Sequence, residues 1–108
     1  MKARDKIEKL LNEAYEIAEA EVIRLAQEHL AEHPELDEFV IAMGTCFFTM
    51  KEQVVRDNPA GGDWANDNTI DVEFDSELFN FIADYDNTFG LSGMGIKFRL
   101  GGEIVRDW

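Results

Sequence analysis

Apolar residues recur at steps of three and four through the first third of the chain: Ile7, Leu10, Leu11, Ala14, Ile17, Ala18, Val22, Leu25 and Ala26. That period is the one-sided stripe of an amphipathic helix, predicted here over residues 3–32. Pro34 disfavours helical geometry at His33 and ends it. At about 1.5 Å per residue the helix runs roughly 45 Å, against the roughly 26 Å of twice the radius of gyration of a compact chain this long, so it overhangs or finds a partner. Asp5 with Lys9 and Arg24 with Glu28 sit at the spacing that braces an outer helix face. The period then changes. Leu36 to Met50 carries Phe39, Val40, Ile41, Met43, Phe47 and Phe48 on both alternating faces, which reads as one buried central strand with Gly44 as a bulge. Asn58-Pro-Ala-Gly-Gly-Asp63 and Asn66-Asp-Asn68 are turn formers and predict a long surface loop. Ile70, Val72 and Phe74 alternate with Asp71, Glu73 and Asp75, predicting a second strand with apolar groups inward and carboxylates outward. Asp75 or Ser76 can cap a short helix in which Leu78, Ile82, Tyr85 and Phe89 share a face, closing near Gly90. Met94, Ile96, Phe98 and Leu100 alternate again, and Gly101-Gly102 followed by Ile104 to Trp108 predicts a closing hairpin. The order α-β-β-α-β-β implies an α+β fold: a long N-terminal helix and a short second helix packed on a mainly antiparallel four-stranded sheet.

With 108 residues the chain fits a single domain, 1–108, and a second core would leave both halves marginal. Apolar residues at 45%, eight of them Phe, supply the core that a disordered acidic chain lacks. No stretch approaches the roughly 20 apolar residues of a membrane span, and Met1-Lys-Ala-Arg-Asp-Lys passes straight into the charged helix, so no membrane association and a cytoplasmic location are expected. The single Cys46 has no internal disulfide partner and lies in an apolar run, where a thiol packs as a small hydrophobe.

Charge is distributed unevenly along the chain. From Asp57 to Ile96 the chain carries nine acids and no Lys or Arg, within a net charge of −13. Direct binding to nucleic acid is therefore disfavoured, while a basic partner is attracted. Carboxylates at 71, 73 and 75 on one strand would stand about 6.7 Å apart, twice the roughly 3.4 Å axial spacing of charges on one DNA strand. The net charge of −13 equals that of roughly 22 Å of duplex. Asp71, Glu73, Asp75 and Glu77, with Asp63, Trp64, Asp67, Asp84 and Asp86 around them, are the candidate partner-binding residues. Trp64, in the acidic loop Asp63-Trp-Ala-Asn, is either an exposed anchor or folded back on the core.

Other patterns lead less far. His29-Leu-Ala-Glu32-His33 matches H-x-x-E-H, in which two His one turn apart bind zinc, but the second His abuts Pro34 and no third ligand is evident. Asp84-Tyr-Asp86-Asn-Thr88 and Asp67-Asn-Thr69-Ile-Asp71 space oxygens like the start of a calcium loop, yet the sixth and twelfth positions lack the required Gly and Glu. Gly90-Leu-Ser-Gly93-Met-Gly95 has the wrong glycine order for a phosphate cradle and reads as a flexible entry to the hairpin. Lys97, Arg99 and Arg106 collect near the C-terminus, either to pair with the acidic middle or to lie opposite it.

With no nucleophile–base pair and no cofactor loop, neither an enzyme nor a cofactor is expected. In composition the chain resembles the small acidic phage-borne inhibitors of restriction and CRISPR complexes. The resemblance implies a protein that occupies the basic, nucleic-acid-binding surface of a partner by imitating DNA charge. The alternative is a structural or regulatory module that pairs through helix 3–32, as a homodimer or with another helix, its acidity serving solubility.

Overall fold

A computed structural model of the chain describes residues 2–51 and 69–106. The first element, α1 (Ala3–Glu32), has the predicted bounds, with His33 as its C-terminal residue before Pro34. Its carboxyl-terminal half buries Ala18, Val22, Leu25, Ala26 and Leu30, whereas residues 2–13 are all exposed. The helix overhangs, and the molecule extends 59 × 27 × 25 Å. Arg24 meets Glu28 at 3.1 Å as expected and also Glu21, but the amino-terminal brace is Arg4 with Glu8 at 3.8 Å, not Asp5 with Lys9.

Five strands form one antiparallel sheet among the described residues: β1 (Leu36–Ala42), β2 (Thr45–Met50), β3 (Thr69–Asp71), β4 (Ile96–Arg99) and β5 (Val105–Arg106), in spatial order β3-β2-β1-β4-β5. The α+β architecture is as the pattern implies, with five strands where four are expected. The extra strand arises because Leu36–Met50 is a hairpin. Met43 and Gly44 both have positive φ, 53° and 81°, the signature of a two-residue turn whose twist matches antiparallel strands. Gly44 is thus a turn residue, not a bulge. Its N–H donates to the carbonyl of Ser92 at 3.0 Å, tying the hairpin tip to the later chain. Among the described residues the order is α-β-β-β-α-β-β, one strand more before the short helix than expected.

The pleat then sorts side chains onto two faces. Register places Ile70, Phe48, Phe39 and Phe98 in one row across β3, β2, β1 and β4. Phe39 lies 5.2 Å from Phe48 and 5.6 Å from Phe98, centroid to centroid, and all three are buried beneath the helices. The second helix, α2 (Glu77–Phe89), adds Leu78 and Ile82 to this core. Ser76 caps it, its Oγ accepting from the Phe79 N–H at 3.1 Å, and Gly90 at φ 63° closes it. The glycine-rich stretch that follows is no flexible entry: Leu91–Gly93 forms a 3-10 turn that drives Leu91 into the core with no exposed surface. Asp86 Oδ1 accepts from the Ser92 N–H at 2.8 Å and fixes that turn to α2. The closing hairpin is present, β4 pairing β5 across Gly101 at φ 73°.

Candidate functional site

The acidic alternation at residues 70–75 does not make a six-residue strand. β3 stops at Asp71, and Asp75 adopts a left-handed φ of 64° in the turn that leads to the Ser76 cap. Val72 points inward, but Ile70 and Phe74 remain 48% and 74% exposed, so neither has the buried role expected of it. The physical reason lies downstream: the chain must turn to start α2, and the capping Ser76 with its N–H donating to the Glu73 carbonyl at 3.1 Å competes with further strand pairing. The straight carboxylate row at 71, 73 and 75 is therefore absent. Asp71 stands on the edge strand opposite Phe47, on the sheet face turned away from the helices.

Glu73 and Glu77 go elsewhere. They flank a cleft of about 220 Å³ whose other walls are Glu28, Glu32, His29 and His33 at the end of α1, with Leu25, Ser76 and Leu78 at its base. Four carboxylates from three separate segments thus converge, and among the described residues no Lys or Arg lines the cleft, although Arg24 holds Glu28 at 3.1 Å from outside it. Glu28 and Glu32 are one turn apart on α1 and so share a face. Glu77 and Asp84, seven residues apart, share the solvent face of α2 about 10.5 Å from each other along its axis. Asp71, Glu73, Asp75, Glu77 and Asp84 make no ion pair with any described residue. Asp86 differs, since its carboxylate already serves the turn at Ser92. Asp63, Trp64 and Asp67 lie outside the described residues, as does the whole of the predicted surface loop.

The C-terminal cations sit away from this face. Sheet order puts β3 at one edge and β4 with β5 at the other, so Asp71 and the Lys97–Arg99 strand are three strand spacings apart, roughly 14 Å. Arg99 approaches Asp37 and Glu38 at 3.6 Å each, and Arg106 pairs with Glu19 of α1 at 2.5 Å. The basic C-terminal strands therefore lie opposite the acidic segment. Arg24 is the cation whose field reaches Glu77, while it is itself held by Glu21 and Glu28.

The two histidines of the H-x-x-E-H pattern are packed together. Their ring centroids are 4.2 Å apart, and His29 stacks on Phe48 at 4.5 Å. Burial lowers the pKa of His29, and the neighbouring His33 lowers it further, against the opposing pull of Glu73, Glu32 and Glu35. Among the described residues no group of three His, Cys, Asp or Glu is disposed to hold a metal ion. Asp84 and Asp86 cannot wrap a cation as a loop would, because on α2 alternate residues point about 200° apart. Cys46 is half-buried against the core, and burial first, then the fields of Asp71 and Asp86, push its thiol pKa up, which disfavours a reactive thiolate.

Glu28 and Glu32 are the residues that reading the sequence misses. Their i,i+4 spacing is visible, but only the docking of α2 against the end of α1 brings them to Glu73 and Glu77. No protein-family model, curated protein or solved structure matches this chain.

Proposed function

We propose that this chain is a small acidic interaction protein of the anti-restriction or anti-CRISPR type, which occupies a basic, nucleic-acid-binding surface of a partner protein with carboxylates in place of phosphates. The observation that carries this reading is charge segregation: Glu28, Glu32, Glu73 and Glu77 converge on one cleft, while Lys97, Arg99 and Arg106 occupy the far edge of the sheet. Carboxylates one turn apart on α1 repeat at about 6 Å, near the roughly 6.8 Å between every second phosphate along a DNA strand. Asp75 and Asp84 extend the same charge beyond the cleft, while Asp71 adds to it on the other face of the sheet edge. Glu73, Asp75 and Asp84 make no ion pair with a described residue, so these groups gain most from basic side chains supplied in trans, and the common sign of the cleft steers a basic surface toward this side. Direct nucleic-acid binding is opposed by the same field.

The experiment is charge reversal. Glu73→Lys with Glu77→Lys places two cations on exposed backbone that already tolerates polar groups, so folding is retained and the field is inverted locally. Capture of the partner from host lysate at low salt is expected to fall at least about tenfold, equivalent to about 1.4 kcal/mol. Undiminished capture by the reversed protein would remove the cleft from the account.

A further inference from the structure

The amino-terminal part of α1 carries an apolar surface that no described residue covers. Ile7 and Leu10 are 57% and 64% exposed, and Ile17 is 72% exposed. On a helix of 3.6 residues per turn Ile7, Leu10, Ala14 and Ile17 form one seam. The seam runs into a groove of about 230 Å³ between α1 and α2, where Ala14 and Ile17 face Phe81 and Tyr85.

Two regularities indicate what covers it. The seam positions are spaced three, four and three residues apart, so the seam reads the same from either end. One residue before each seam position lies a charge: Lys6, Lys9, Glu13 and Glu16. This flank has the same spacing, but its sign inverts at the midpoint. None of these four makes an ion pair with a described residue. In an antiparallel helix pair the same flank of each helix adjoins, so Lys6 and Lys9 of one helix would face Glu13 and Glu16 of an identical one, twice by symmetry. In a parallel pair opposite flanks adjoin, and these four charges would meet the mostly uncharged flank of Glu8, Leu11, Tyr15 and Ala18. A lipid surface would meet Glu13 and Glu16 beside the seam and a net charge of −13 behind it, which anionic headgroups oppose.

We propose that the partner of this surface is a second copy of the chain, two molecules packing residues 3–17 of α1 antiparallel, each with its amino-terminal end over the other's α1–α2 groove. This association is separate from the acidic cleft, which lies at the opposite end of α1.

Sedimentation equilibrium of the whole chain from about 1 to 300 µM tests it, a range that brackets the Kd on the order of 10 µM expected of a small interface. A monomer–dimer equilibrium is expected. Ile7→Asp with Leu10→Asp should raise the Kd at least about a hundredfold by burying charge in the seam. Both sites are exposed in the single molecule, so circular dichroism should be unchanged. Lys6→Glu with Lys9→Glu should raise it about tenfold, and adding Glu13→Lys with Glu16→Lys should return it to within about threefold of the starting value. A monomer at every concentration overturns the proposal, as does a dimer indifferent to the seam substitutions. A dimer that loses affinity with the seam but ignores the charge reversals overturns the antiparallel arrangement.

Discussion

Met43 sits at the tip of the first hairpin with φ 53° and 94% of its surface exposed, so a left-handed backbone is imposed on a residue whose side chain gains nothing from packing. An L-residue with a Cβ pays about 1–2 kcal/mol there, and Asn the least of the non-glycine types. Met43→Asn is therefore expected to stabilise the fold by about 1 kcal/mol and to raise Tm by about 4–8 °C for a domain near this size. An unchanged or lower Tm would mean that the turn is not under this strain. The same residue explains why the hairpin is hidden in the sequence: Asn-Gly or Asp-Gly announces such a turn, and Met-Gly inside an apolar run does not. His29 gives a second residue-scale prediction. Its folded pKa lies below the ordinary value, so the unfolded chain binds the proton more readily. The stability this group contributes is full above the unfolded value of about 6.5 and is lost as pH falls from there through the lowered folded value. Urea unfolding between about pH 7.5 and 5.5, above the main carboxylate titration, should show falling stability. His29→Phe, which keeps a ring against Phe48, should flatten that slope; an identical slope would assign it to other groups.

Among the elements, α1 separates two kinds of leucine on one stripe. Leu25 is 5% exposed against the sheet and Leu10 is 64% exposed on the overhang. Leu25→Ala is expected to cost about 2–5 kcal/mol, whereas Leu10→Ala, measured at or below about 1 µM protein, should stay within about 0.5 kcal/mol. Comparable losses would contradict the overhang. Both the helix and its end at Pro34 are legible because a periodic stretch of 30 residues and a proline are local signals, and its length against the domain size implies an overhang or a partner without deciding between them. The Ser76 cap and the Gly90 stop were equally local. The strand at 70–75 was misleading because alternation records only which residues could face inward; it carries no information on the left-handed turn at Asp75 that α2 requires. Leu91 was missed for the same reason, a single buried residue in a glycine-rich stretch having no period to reveal it.

Across the whole molecule, charge is sorted by topology, which no window of sequence contains. The absence of Lys and Arg from Asp57 to Ile96 was plain, but the convergence of Glu73 and Glu77 with Glu28 and Glu32 needs α1 and α2 side by side, and the remoteness of Lys97, Arg99 and Arg106 needs the strand order β3-β2-β1-β4-β5. A field arranged in this way predicts an association governed by ionic strength, with a steep loss as the Debye length shrinks from about 10 Å at 0.1 M salt to about 3 Å at 1 M. It also predicts direct rivalry with nucleic acid, because both ligands present the same charge to the same basic surface. The most direct measurement is competitive elution: the immobilised chain is loaded with partner from host lysate at low salt, duplex DNA or RNA is added in increasing amounts, and the released proteins are identified by mass spectrometry. Release of a nucleic-acid-binding protein in proportion to added nucleic acid from the wild-type chain, with capture at least about tenfold lower by the Glu73→Lys, Glu77→Lys protein, is the predicted result. A partner that stays bound in excess nucleic acid, or that binds the reversed protein equally, would contradict charge mimicry.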